Sequence, residues 1–109
     1  MLKKEIFSHI LQEVAGIARV LSHPARLAIL QYLADCNVCV SGDISREIPL
    51  SRTTVSQHLK ILKNCGLIQG EIEGTRVHYC INPEMAIKHE QALMKFFKSV
   101  KTENNINCK

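Results

Sequence analysis

The chain has 109 residues, enough for one compact core and too few for two ordinary domains. Hydrophobic residues make up 46% and charged residues 22%, a globular balance that excludes a chain disordered throughout. Fourteen Lys and Arg against ten Asp and Glu leave a formal charge of +4, which suits a polyanionic partner without specifying one.

The first predicted element is a helix over 5–21, with Ile6, Ile10, Ile17 and Leu21 on one stripe and Phe7, Leu11, Val14 and Ala18 on the next. That apolar face is wider than a single core needs. Ser22-His23-Pro24 then starts a second helix, because proline fits a first helical turn, and Leu27, Leu30, Leu33 and Ala34 carry it to about Asp35. Residues 36–41 read as a connector with a short strand near Val38 and Val40. A short helix is expected over 42–48, capped by Ser41, with Ile44 and Ile48 four apart and Pro49 stopping it.

Ser51 caps the next helix, with Leu50 before it and Val55 inside it as a hydrophobic staple. Val55, Leu59 and Leu62 form its buried stripe, and Gly66 ends it. Two strand-like runs, 67–73 and 76–81, flank Gly74, and Val77, Tyr79 and Ile81 alternate with Arg76, His78 and Cys80. Asn82-Pro83-Glu84 opens a last helix with Leu93, Phe96, Phe97 and Val100 on one face. Residues 101–109 form a polar tail, leaving 1–100 as one domain. The predicted class is mainly α with a small β-hairpin (α+β), a winged helix-turn-helix with about five helices and a two- or three-stranded wing sheet.

No apolar run approaches the roughly 18 residues of a membrane span, and Met1-Leu2-Lys3-Lys4 leads into an amphipathic segment rather than a signal core, so a cytoplasmic location is expected. The cysteines, Cys36, Cys39, Cys65, Cys80 and Cys108, are odd in number, which argues for free thiols over a disulfide framework.

The helix after Leu50 carries the functional signal. Ser51, Arg52, Thr53, Thr54, Ser56, Gln57, His58, Lys60 and Lys63 lie off its buried stripe, and no carboxylate occurs between Ser51 and Asn64. Ser51, Thr53, Ser56, Lys60 and Lys63 suit phosphates, while Arg52 or Gln57 suits base edges; Thr75 and Arg76 add wing contacts. Double-stranded DNA is the implied partner, read by the second helix of the pair in the major groove. A solvated polar face is the plain alternative, and a protein-binding winged-helix module the rival function; the rival would expose apolar residues on this helix. Nothing in the chain suggests an enzyme: no Ser-His-Asp order, phosphate-cradling glycine loop or paired carboxylates.

The chain resembles the ArsR/SmtB-type metal-sensing repressors in Ala18-Arg19-Val20-Leu21-Ser22-His23-Pro24-Ala25-Arg26-Leu27, in Leu50-Ser51-Arg52-Thr53-Thr54-Val55-Ser56-Gln57-His58-Leu59-Lys60, in Gly66-Leu67-Ile68, and in Gly74-Thr75-Arg76-Val77-His78-Tyr79. The resemblance implies a homodimer formed by the first and last helices, matched to a palindromic operator, and a repressor that releases DNA on metal, metalloid or thiol modification. Where the arsenic-type Cys-Val-Cys-Asp signature would fall, this chain has Val40-Ser41-Gly42-Asp43. A displaced thiol site remains, with Cys36 and Cys39 joined by Cys80 if the 38–40 strand pairs with the second hairpin strand. Arsenite or antimonite would use three such thiolates. Zinc ranks lower, since a second ligand pair exists only if His78 joins Cys80. Thiol oxidation, or no sensing at all, stays open beside them. A site on the last helix needs more than its single His89 and is expected to be absent. Cys65 is expected to be a small buried hydrophobe, and His23 and His58 structural or DNA-proximal.

Overall fold

The computed structural model describes residues 6–36, 39–42, 44–71 and 78–101. Its elements run α1 (His9–Leu21), α2 (Pro24–Cys36), β1 (Val40–Ser41), α3 (Arg52–Asn64), β2 (Ile68–Glu71), β3 (His78–Ile81) and α4 (Pro83–Val100). The expected wing tip with Gly74, Thr75, Arg76 and Val77, the tail beyond Lys101, Val38 and Asp43 lie outside the described residues.

Local chemistry sets the helix ends. Ser8 caps α1 by accepting the Leu11 N–H at 3.2 Å, so the helix opens at His9 rather than at residue 5. His23 caps α2: its Nδ1 accepts the Ala25 N–H at 3.1 Å, and Pro24 takes the first helical position. Ser51 accepts from Thr54 N–H at the start of α3, and Asn82 accepts from Met85 N–H at the start of α4. Gly66, at φ +89, turns the chain out of α3 into β2.

Among the described residues there are four α-helices, one fewer than the sequence suggests. The expected 42–48 helix is a single turn in which the Ile48 N–H reaches the Ile44 carbonyl at 3.1 Å. Gly42 at φ +88 and Pro49 leave too few residues between them for helix propagation to offset nucleation. Ile44 and Ile48 are nevertheless buried, so the turn still anchors the approach to α3.

The three strands form one antiparallel sheet in the order β1-β3-β2, with Val40 opposite Tyr79 and Ser41 opposite His78, and with Gly70 opposite Tyr79 and Glu71 opposite His78. Strand alternation sends Tyr79 and Ile68 into the core, joined by Ile29 and Leu33 of α2, Ile44 and Ile48 of the turn, and Val55, Leu59 and Leu62 of α3. The opposite sheet face carries Ser41, Gln69, Glu71, His78 and Cys80. Helices α1 and α4 pack together at the edge of this core and keep large apolar side chains exposed.

Candidate nucleic-acid interface and thiol cluster

Helix α3 has two faces at roughly 100° per residue. Val55, Leu59 and Leu62 are buried, and diametrically opposite them Thr53, Gln57, Lys60 and Asn64 form one exposed stripe. Arg52 and Lys63 are exposed and Ser56 half-exposed on one flank; half-exposed Thr54 and exposed Ile61 lie on the other. At the N-terminus the Ser51 hydroxyl both accepts the Thr54 N–H and donates to Thr54 Oγ1 at 2.9 Å. Those two hydroxyls are thus fixed at the end where the helix dipole favours anions. Asn64 completes the outward stripe; the sequence pattern alone had not marked it, although its spacing of seven from Gln57 carries the signal.

His58 is a correction. Its sequence position off the buried stripe groups it with the DNA-facing residues, but it is 7% exposed and turns inward. Its Nδ1 lies 3.3 Å from the Arg26 guanidinium, and its ring packs on His23 with centroids 4.4 Å apart. A guanidinium only donates, so Nδ1 accepts and the ring proton sits on Nε2. Burial first, then His23 and Arg26, push the His58 pKa below the usual 6.5.

Arg26, itself 9% exposed, joins three helices. From α2 it donates Nε to the Val20 carbonyl at 2.6 Å and NH2 to the Arg19 carbonyl at 3.1 Å, closing the end of α1, while NH1 reaches His58 on α3. The need is written in the chain: the residue four after Val20 is Pro24, which has no N–H to continue the ladder.

The sheet register brings the sulfur chemistry together. Cys39 precedes Val40, and Cys80 follows Tyr79 on the neighbouring strand; the two are joined in a disulfide with Cα atoms 4.3 Å apart. The odd cysteine count predicts free thiols at both positions, and the β1–β3 pairing that joins them is what the sequence leaves conditional. His78 lies two residues from Cys80 on the same strand face, and donor atoms of Cys39, His78 and Cys80 all fall within 4.8 Å of one another. Ser41 Oγ holds His78 Nδ1 at 3.2 Å. Cys36 stands outside this group. It ends α2 as a free thiol, and its hydrogen bond to Tyr32, ahead of burial and nearby negative charge, raises the tyrosine pKa. Cys65 is also free, its thiol donating to the Leu62 carbonyl at 3.2 Å, and it is half-buried against the core.

Residues 23–69, from the cap of α2 into β2, match the model of the arsR family of bacterial regulatory proteins. HTH-type transcriptional regulator YgaV of Escherichia coli is 33% identical over 73 residues, which cover 67% of this chain and 74% of YgaV. The chain belongs to the ArsR family. HTH-type transcriptional regulator CmtR of Mycobacterium tuberculosis is 38% identical over 68 residues, covering 62% of this chain, which spans 57% of CmtR. The solved structure of an ArsR-like transcriptional regulator from Rhodococcus sp. RHA1 has the same fold, with a TM-score of 0.65 at 22% identity over 84% of this chain and 86% of that one. These ArsR-family relatives are regulators rather than enzymes. In this ArsR-family chain no helix of the described residues is long and apolar enough to cross a membrane.

Proposed function

We propose that this chain is a cytoplasmic, homodimeric transcriptional repressor that binds a palindromic DNA operator through α3. The observation that carries the reading is the carboxylate-free stripe Thr53, Gln57, Lys60 and Asn64, set opposite the buried stripe of a well-capped helix. Gln57 sits at its centre, where a bidentate amide can read adenine, and Arg52, Ser56 and Lys63 on the flank, with Ser51 at the cap, suit phosphates. Thr54 lies on the other flank near the same end, and Thr75 and Arg76 are assigned to the wing's backbone contacts. A protein-binding surface fits less well, since Ile61 is the one large apolar side chain exposed on α3.

Dimerisation is supported by the apolar surface of α1 and α4. Ile10 and Leu11 of α1, with Ile6 and Phe7 just before it, and Ile87, Met94, Phe97 and Val100 of α4 are all exposed. Contiguous apolar surface of this kind marks an interaction site, and a two-fold partner would present two α3 helices to successive major grooves. Release of DNA is assigned to the cluster at Cys39 and Cys80, by thiol oxidation or by a thiol-seeking metal or metalloid.

The test is selection of bound duplexes from fragments of the source genome, followed by footprinting. The reading predicts a footprint with two-fold symmetry, abolished in Gln57→Ala and undisturbed by a conservative change at Cys65. Recovery of fragments with no shared sequence would refute it.

A further inference from the structure

The thiol cluster has a donor set of its own. Two sulfurs and one imidazole converge from β3 and from the residue just before β1, and none of them belongs to α3 or to the α1–α4 surface. Three thiolates, as trivalent arsenic prefers, are not gathered here, since the cluster holds the sulfurs of Cys39 and Cys80 beside the His78 ring and Cys36 lies outside it. Two thiolates and an imidazole instead match the preference of zinc-class cations, which take mixed sulfur and nitrogen ligands and leave a fourth position to water.

We propose that Cys39, His78 and Cys80 bind a thiophilic divalent cation of the zinc class, and that the Cys39–Cys80 disulfide is the metal-excluding state of the same site. Three features beyond proximity support it. Ser41 Oγ engages His78 Nδ1, the outer contact that fixes ring orientation in imidazole–metal sites and leaves Nε2 as the nitrogen outside that bond. Glu71, opposite His78 on β2, adds a carboxylate to the same sheet face. A cleft of about 480 Å³, lined by Leu33, Ala34, Cys39, Gln69, Cys80 and Ile81 among others, gives an approach to both sulfurs.

The two states exchange with a simple balance of atoms. A dithiol or phosphine reductant delivers two electrons to the S–S bond, and two protons complete the thiols. A divalent cation then displaces both protons and binds two thiolates and the neutral imidazole. In reverse, hydrogen peroxide takes two electrons from the thiolates: its O–O bond breaks, the S–S bond forms, two protons complete two waters, and the cation leaves with its charge unchanged. The cation chemistry stands on the geometry alone. Its effect on operator binding rests on the regulator reading above, through the tie between β1, which leads into the turn before α3, and β3 at the root of the wing.

The experiment titrates the full chain with Cd²⁺, and with Co²⁺ as a ligand-field probe, after phosphine reduction and anaerobic desalting. Thiolate-to-metal charge-transfer absorption is expected to saturate at one cation per chain, and to be absent in oxidised protein until it is reduced. Cys39→Ser and Cys80→Ser should each abolish the band, and a Cys36→Ser/Cys65→Ser/Cys108→Ser variant should keep it. Ser41→Ala, which leaves every ligand in place, should weaken binding about tenfold or more. Circular dichroism of each variant separates missing ligands from failed folding. No uptake by reduced wild type, or wild-type affinity in folded Cys39→Ser/Cys80→Ser protein, would overturn the site. Operator affinity is measured on reduced, metal-free protein, so failure of the regulator reading appears there and failure of the metal site appears in the titration.

Discussion

Replacing Arg26 by Met keeps most of the buried stem and removes the donors that close α1 and meet α3. The three hydrogen bonds are unequal in what their removal leaves behind. The Arg19 carbonyl keeps the Ser22 hydroxyl at 2.7 Å and the Ser22 N–H at 3.3 Å, so it stays satisfied. The Val20 carbonyl loses its Nε donor at 2.6 Å, and Pro24 offers no N–H in its place. An orphaned part-buried acceptor costs about 1–3 kcal/mol, and removal of the long, 3.3 Å hydrogen bond to His58 adds about 1 kcal/mol. The sum, about 2–4 kcal/mol, is a large share of the roughly 5–15 kcal/mol that holds a domain of this size together. Arg26→Lys retains one donor and should be destabilised about half as much. Urea unfolding at fixed chain concentration measures both, because the stability of the proposed dimer would depend on that concentration. An Arg26→Met midpoint within about 0.5 kcal/mol of wild type would refute the assigned role of this side chain, since ordinary surface substitutions fall in that range.

His58 has a folded pKa below 6.5, so above that pH neither state holds its proton and its contribution to stability is constant; as pH falls below 6.5 the unfolded chain takes up a proton that the folded chain resists, and stability drops. His58→Gln should flatten that acid limb in a pH series of unfolding midpoints, and an unchanged limb would point to other groups. Gly70→Ala forces a side chain onto φ +127 and into the His78 carbonyl, with Tyr79 Cα at 2.8 Å; it should cost on the order of 1–3 kcal/mol and lower Tm by several degrees, read by calorimetry. Phe97→Glu, at a position 61% exposed on α4, should shift sedimentation towards monomer while leaving the helix content intact, and a persistent dimer would remove α4 from the interface.

The elements bounded by strong caps are legible from residue types alone. Ser51, Gly66 and Asn82-Pro83 fix helix ends through local hydrogen bonds and φ preferences, and the structure puts α3 and α4 within a residue of their expected bounds. The short 42–48 segment is ambiguous in sequence because a four-residue apolar spacing fits one turn as well as a helix. His58 is left between a structural and a DNA-proximal role by the sequence for a different reason. It lies on the margin of the buried stripe, and only the long-range arrival of Arg26, thirty-two residues earlier, shows that it faces in. The thiol cluster requires tertiary information of the same kind: alternation puts His78 with Cys80, but the meeting with Cys39 depends on β1 pairing with β3 across a sequence separation of 41. Cys36, three residues from Cys39 in sequence, ends on a helix with a tyrosine partner instead.

The salt dependence of operator affinity tests the central assignment of α3 most directly. Removing one lysine–phosphate pairing from a complex with B-form DNA should reduce the slope of log affinity against log salt by about 0.9, and in a two-fold dimer each substitution removes two such pairings. Reduced, metal-free protein is therefore expected to show a steep negative slope, made shallower by about 2 in Lys63→Ala, with Cys36→Ser unchanged. A flat slope in wild type, or the same slope in Lys63→Ala, would contradict the placement of α3 against DNA.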